Sequence, residues 1–288
     1  MKQIIIPLLA GVMFACTQAP AQKLEFKEHL SKEFTIKESA AKNTLAIYNI
    51  FGSIKVKGYN GDKVVIEVDK TITADDKETL DEGKNEFKVN FEQKGDSVLA
   101  YISAPFDSRP NRNNHNWNNE KKIEYHYNLE YTVKVPFAMD LRVSTVNNGD
   151  VLVEDIAGLL HVSNVNGAIK LTNAKGAAEV KTINGNVDAN YLAVPPGESQ
   201  FKTLNGNITI TYPQSLSADC QFKSFNGEFY TDFPDTETLP VKLVKNQETN
   251  HNKTTYKVNA ETAIRIGKGG QIFKFETFNG NIYLKKQS

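Results

Sequence analysis

The chain has 288 residues, enough to bury a sizeable core in one large domain or two modest ones. Hydrophobic residues make up 40% and charged residues 24%, which is ordinary globular material and not a disordered tail. Lys+Arg and Asp+Glu both count 34, so no excess of positive charge points to nucleic acid or an anionic membrane.

The first residues read as a targeting leader. Lys2 supplies a positive start, and Ile4 to Ala15 is an apolar run too short to span a bilayer as a helix. Ala19-Pro20-Ala21 forms a cleavage site, which makes residues 1–21 a signal peptide. The alternative is a lipoprotein box, Met13-Phe14-Ala15-Cys16, with a lipid anchor on Cys16. Ala15 fits that box, and Met13 and Phe14 fit it less well. Either way the protein is exported, to the periplasm or the outer cell surface. No later apolar run is long enough for a membrane span. Cys220 is then the single cysteine of the mature chain, so no internal disulfide framework forms.

Residues 22–140 read as a β-rich region. Glu33 to Lys37, Thr44 to Tyr48 and Ser53 to Lys57 alternate in polarity, and Tyr59-Asn60-Gly61-Asp62 is a turn before a strand from Lys63 to Val68. A short helix is expected near 74–85. Thr73 would cap it, Asp75 and Asp76 suit its start, and Gly83 would interrupt or end it. Alternation resumes at Phe87 to Phe91 and Ser97 to Ser103. Residues 107–119 form a polar, Asn-rich loop that carries Trp117. From Ile123 to Val135, apolar Tyr125, Tyr127, Leu129, Tyr131, Val133 and Val135 alternate with polar residues, the clearest strand in the chain.

Residues 141–288 repeat. The cores are V-S-T-V-N-N-G-D-V, V-S-N-V-N-G-A-I, V-K-T-I-N-G-N-V, F-K-T-L-N-G-N-I, F-K-S-F-N-G-E-F and F-E-T-F-N-G-N-I. Their glycines fall at 149, 167, 185, 206, 227 and 280, spaced 18, 18, 21, 21 and 53 residues apart. A fixed period near twenty marks stacked supersecondary units.

Five residues before the glycine stands Val162, Val180, Phe201, Phe222 or Phe275. Three before it stands Asn164, Thr182, Thr203, Ser224 or Thr277. Both sets should point inward, with Ser163, Lys181, Lys202, Lys223 and Glu276 outward between them. Asn-Gly would turn the chain through left-handed backbone. Stacked in sequence order, Phe201, Phe222 and Phe275 would form an inner ladder. Thr182, Thr203, Ser224 and Thr277 would pass hydroxyl hydrogen bonds along a buried row. A hairpin meander also uses Asn-Gly turns, but it does not usually keep one motif in register. The pattern therefore predicts an all-β, single-chain β-solenoid, parallel β-helix-like, with an insertion near 232–256. In that insertion Pro234 to Pro240 would be a loop. The closing Lys285 and Lys286 would blunt an open edge.

Three stretches are similar to a bacterial family of β-strand-repeat domains of unknown function that carries an adhesin label. They are I-Y-N-I-F-G-S-I-K-V-K-G, Y-T-V-K-V-P-F-A-M-D-L-R-V and I-R-I-G-K-G-G-Q-I-F-K-F-E-T-F-N-G-N-I-Y-L, and the resemblance covers about residues 30–288. It implies an exported all-β solenoid and no known catalytic residues. The Asn-rich loop and the insertion are where this chain is least typical.

Chemistry is sparse. His29, His115, His126, His161 and His251 show no metal-ligand spacing, and no nucleophile elbow, phosphate loop or H-E-x-x-H occurs. No metal, cofactor or catalytic residue is expected. A polysaccharide-active β-helix enzyme would need two or three stacked carboxylates. Asp188 and Glu228 sit at different offsets, and Asp150, Glu154 and Asp155 cluster at a bend. Surface-contact candidates are Lys181, Lys202 and Lys223, read as one ladder for an anionic glycan or simply as a solvated face. Tyr230, Tyr283 and Trp117 could stack on sugars or proteins. The leading reading is an exported structural or binding module of the cell envelope whose partner is an envelope protein or a glycan. The alternatives are that enzyme and an envelope-stress accessory protein acting through another protein.

Overall fold

The computed structural model describes residues 23–36, 39–110, 123–240, 244–250, 253–259 and 262–288. Residues 1–22 with Cys16, most of the Asn-rich segment with Trp117 and His115, and His251 lie outside them. Among the described residues two large sheets form, of ten and eleven strands, and a separate hairpin pairs Val244–Asn250 with Lys253–Asn259.

The protein is a β-solenoid. Each coil places one strand in the eleven-stranded sheet, turns a corner at a glycine, and places the next strand in the ten-stranded sheet. Neighbouring coils pair in parallel, as Leu160–Ser163 does with Ala178–Lys181 and Ile169–Ala174 does with Val187–Tyr191. Parallel register excludes a hairpin meander. Period-two alternation fills the space between the sheets. Val162, Val180, Phe201, Ile169, Val187, Ile208 and Leu284 are all buried there.

The stack holds one coil more than the six Asn-Gly copies. Thr44–Tyr48 and Ile54–Tyr59, joined through Gly52, pair in parallel with Asp140–Ser144 and Val151–Glu154. Both sheets therefore run without interruption across residue 140.

The coils are not stacked in sequence order. Ser199–Lys202 pairs with Gln271–Asn279, and Gln271–Asn279 pairs with Ala218–Asn226. The last repeat is threaded between the two that precede it. Phe275 lies between Phe201 and Phe222, at ring distances of 5.6 and 5.2 Å with planes within about 10° of parallel. The inner aromatic ladder exists, but its order is Phe201, Phe275, Phe222. Ile282–Leu284 is flanked on both sides, by Ile208–Tyr212 and Phe229–Thr231, whereas Lys285 and Lys286 have a strand partner on one side only, Thr211 and Tyr212.

The ends are closed by antiparallel strands. At one end His126–Pro136 stacks on Ile54–Tyr59, then pairs antiparallel with Lys63–Ala74, which pairs with Leu24–Thr35. Lys88–Lys94 covers the other sheet through Ser97–Ala104. At the far end Thr262–Ile266 pairs with Ala218–Asn226 and with Thr236–Leu239. Residues 236–239 are thus a strand and not a loop, because Thr262–Ile266 offers them a free ladder.

The helix runs Lys77–Glu86. Its cap is Asp76, which accepts from the Thr79 backbone N–H at 2.9 Å, while Thr73 belongs to the preceding strand. Gly83 neither breaks nor ends it. It lies buried inside the helix, where an added Cβ would come within 2.9 Å of Tyr125 and Ile72.

Candidate functional site

The corner where each coil passes between sheets is the most regular feature of the surface. The turn asparagines do not use left-handed backbone. Only Asn148, the extra residue of one coil, has a positive φ, of 58°, among them. The glycine is needed for space, and at Gly52 and Gly280 also for a positive φ, of 113° and 152°. A Cβ on Gly185 would stand 2.1 Å from the Gly167 carbonyl oxygen, one on Gly206 2.1 Å from that of Gly185, and one on Gly280 2.0 Å from that of Gly206. The coils stack glycine upon glycine.

The asparagine is retained for its side chain. Asn166 donates its amide to Asn147 at 2.6 Å, Asn184 to Asn166 at 2.7 Å and Asn205 to Asn184 at 2.7 Å. Asn279 donates to Asn205 at 2.7 Å, and Asn226 to Asn279 at 2.8 Å. An amide ladder runs up the outside of the corner. The buried polar row lies just inside it. Its hydroxyls do not bond to one another, as the sequence suggested, because each has a closer acceptor in the glycine carbonyl of the adjacent coil. Thr145 donates to Gly52 at 2.8 Å, Thr182 to Gly167 at 2.9 Å and Thr203 to Gly185 at 2.8 Å.

Between the two rows, two residues before the glycine (three in the coil of Gly149, which has the extra Asn148), every coil carries an apolar residue. In stack order these are Ile50, Val146, Val165, Ile183, Leu204, Phe278 and Phe225. Alternation turns this position outward. Stacking shields part of each side chain, yet Ile183 is 42% exposed, Leu204 44%, Phe278 44% and Phe225 74%. Phe225 and Phe278 stack at 4.8 Å with planes 4° apart. The result is an apolar ridge beside a neutral amide ladder. Its signal was in the sequence: the position is never polar, although period two puts it outside.

The outer face of the eleven-stranded sheet carries the lysines. Lys181 and Lys202 are register neighbours, but Glu276 separates Lys202 from Lys223. Lys202 and Lys223 both reach Glu276 at 3.1 Å, and Lys181 reaches Glu179 at 3.4 Å. The three do not form one cationic ladder, because the last coil is threaded between the coils of Lys202 and Lys223. Burial pushes the Glu276 carboxyl up, but hydrogen bonds from Lys223 and Lys202 outweigh it and leave it below the ordinary range.

Tyr230 and Tyr283 lie on the other sheet, stacked at 5.2 Å, with Asn281 donating to the Tyr283 hydroxyl at 3.1 Å. The structure brings these two together and keeps them on a different sheet from the lysines.

The carboxylates are engaged locally. Glu154 and Asp155 face Lys57 at 3.0 and 3.8 Å, and Asp150 accepts from the Ala168 N–H at 2.7 Å. Glu228 accepts from Tyr230 and stands several coils from Asp188. Cys220 is fully buried, and burial pushes its thiol up to about 12, so it is not a poised nucleophile. Among the described residues no three His, Cys, Asp or Glu gather as a metal site, and no helix is long and apolar enough to cross a membrane.

A family model described as Toastrack DUF4097 matches residues 22–268. The chain belongs to the Toastrack DUF4097 family. No curated protein matches this Toastrack chain. Among solved structures, it is similar to a protein of Clostridium sporogenes described as a putative cell adhesion protein. That likeness has 13% identity and a TM-score of 0.44, and covers 90% of this chain and 100% of the other. A Bacteroides fragilis protein described as a putative adhesin follows, at 12% identity, TM-score 0.30 and coverage of 90% and 97%. A Parabacteroides distasonis protein described as a putative lipid binding protein matches at 10% identity, TM-score 0.28 and coverage of 90% and 97%.

Proposed function

We propose that this Toastrack protein is an exported binding module of the cell envelope, adhesin-like and without catalysis, that docks a protein partner along its Asn-Gly corner. The observation that carries this is the apolar ridge from Ile50 to Phe225. Exposed apolar side chains scattered singly are normal, whereas an unbroken row along a rigid edge marks a contact surface. The glycine stack and the hydroxyl bonds hold the ridge in place, so little ordering entropy is lost on docking. A protein fits better than a glycan at its centre, because Ile183 and Leu204 offer no aromatic face to a sugar ring.

Export rests on the leader, with cleavage after Ala21 as the reading and lipid attachment at Cys16 as the alternative. The absence of catalysis rests on the carboxylates already described: Asp150, Glu154, Asp155 and Glu228 are bound to a backbone N–H, a lysine or a tyrosine, and Asp188 stands several coils from Glu228. An accessory role through a protein partner is compatible with the same ridge.

A photo-crosslinking residue placed in turn at Leu204, Phe278 and Thr209 tests this in intact cells. Adducts with one envelope protein from Leu204 and Phe278, none from Thr209, and loss of the Phe278 adduct in a Leu204→Asn background of unchanged melting temperature support the proposal. Uniform adducts over all three positions, adducts only with a second copy of the chain, or saturable binding of glycans alone would overturn it.

A further inference from the structure

A cleft of about 830 Å³ opens where the corner ladder stops. The strands stacked on the first coil, Ser97–Ala104 and His126–Pro136, are not joined by an Asn-Gly corner. Among the described residues no further corner stacks on the coil of Gly52, and the cleft opens beside it. Ile50, Phe51, Phe106, Ile123, Tyr125 and Tyr127 give it ring and aliphatic walls. Those walls are held in shape. Tyr127 packs edge-on to Phe51 at 5.2 Å and lies 4.4 Å from Phe87, and the Leu129 N–H donates to the Phe51 carbonyl at 2.9 Å.

Lys23 lines the cleft together with polar Thr71, Thr73, His126, Asn128 and Asn148, and no carboxylate does among the described residues. Lys23 approaches only Asp75, at 3.9 Å, and both side chains are well exposed, so that pair holds it weakly. The volume lies within the roughly 300–1,000 Å³ typical of sites that enclose a small organic ligand.

We propose that this cleft is a second site, distinct in purpose from the ridge, which takes a single free fatty acyl chain with its carboxylate beside Lys23. The hydrocarbon lies against the phenyl and phenol rings, and the one negative charge meets the Lys23 ammonium, which its exposed pair with Asp75 holds only weakly.

Calorimetric titration of the full chain with myristate, decanoate and tetradecanol tests the assignment, with phosphatidylcholine vesicles as a further arm. Myristate should saturate one site, and decanoate should bind more weakly, by up to about fourfold for each buried methylene lost. Lys23→Gln should weaken myristate severalfold and leave tetradecanol unchanged. Thr73→Trp or Thr71→Trp, whichever keeps the wild-type circular dichroism, should fill the cleft and abolish binding. Leu204→Asn should change nothing here, which separates failure of this site from failure of the ridge. No saturation by myristate, equal affinity across chain lengths, an unchanged Lys23→Gln variant, or binding to vesicles alone would overturn the proposal.

Discussion

Thr277 donates its hydroxyl to the carbonyl of Gly206 at 3.0 Å, across 71 residues of chain, and Ser224 donates to Gly280 at 3.1 Å. The pair of bonds records the threading order. The coil of Gly280 sits on that of Gly206, and the coil of Gly227 sits on that of Gly280.

Removal of the C-terminal segment should therefore be far worse than trimming a terminal repeat. In a linear solenoid the last unit contacts one neighbour and its loss is tolerated. Here a chain ending at Gly270 lacks the coil that holds Phe201 and Phe222 apart. Limited proteolysis and circular dichroism should show residues from about 213 onward unfolded. A truncated chain with only a slightly lowered melting temperature would contradict the threading.

Gly206→Ala places a methyl 2.1 Å from the Gly185 carbonyl, whereas at Gly197 the nearest atom is 3.6 Å away. Urea denaturation should show Gly206→Ala destabilised by about 1–3 kcal/mol or more. Gly197→Ala should stay within about 0.5 kcal/mol of wild type. Equal effects would remove the close-packing account of the corner.

Thr203→Val keeps the shape of a 1% exposed side chain but removes its bond to the Gly185 carbonyl. The cost should be about 1–3 kcal/mol, because that carbonyl loses its hydroxyl partner inside the stack. Thr203→Ser should lose less, since it retains the donor. If Val proves as stable as Thr by chemical denaturation, the hydroxyl row is not structural.

Glu276 titrates below its ordinary value in the folded chain. Its contribution to stability is thus complete above the unfolded value, about 4.3, and is lost as pH falls through the folded one. The site is partly solvated, so the contribution should be about 0.5–1 kcal/mol after screening. The stability gap between wild type and Glu276→Gln should be constant near neutrality and close below about pH 4. A gap that widens on acidification would mean that Lys202 and Lys223 do not stabilise the carboxylate.

Much of the coil was legible residue by residue. The inward set from Val162 to Phe275, the outward lysines, the turn at each glycine and the Tyr230–Tyr283 equivalence all follow from alternation and period. The apolar residues of the ridge stood in the sequence at an outward position that alternation alone treats as polar, but their alignment into one row did not. The role of the turn glycine was misleading from sequence. Asn-Gly suggests left-handed backbone, whereas here the glycine chiefly makes room and the asparagine builds a ladder. One charge anticipated the threading. Glu276 is the only acid at a position where Lys181, Lys202 and Lys223 stand, and like charges side by side on adjacent strands cost roughly 0.2–1 kcal/mol each.

What the sequence by itself determined is the cross-section of one coil: which side chains face in, which face out and where the chain turns. These follow from steric rules that act within about ten residues. The tertiary structure alone decided which coil lies on which, that the corner residues line up into a ridge, and that a cleft opens beside the coil of Gly52. The decisive pairings, of the threaded coil and of the first coil, join segments 53 to 97 residues apart, where any coil presents nearly the same edge to any other. Only the packed whole, with Glu276 between two lysines and Phe275 between two phenylalanines, makes one order better than the rest.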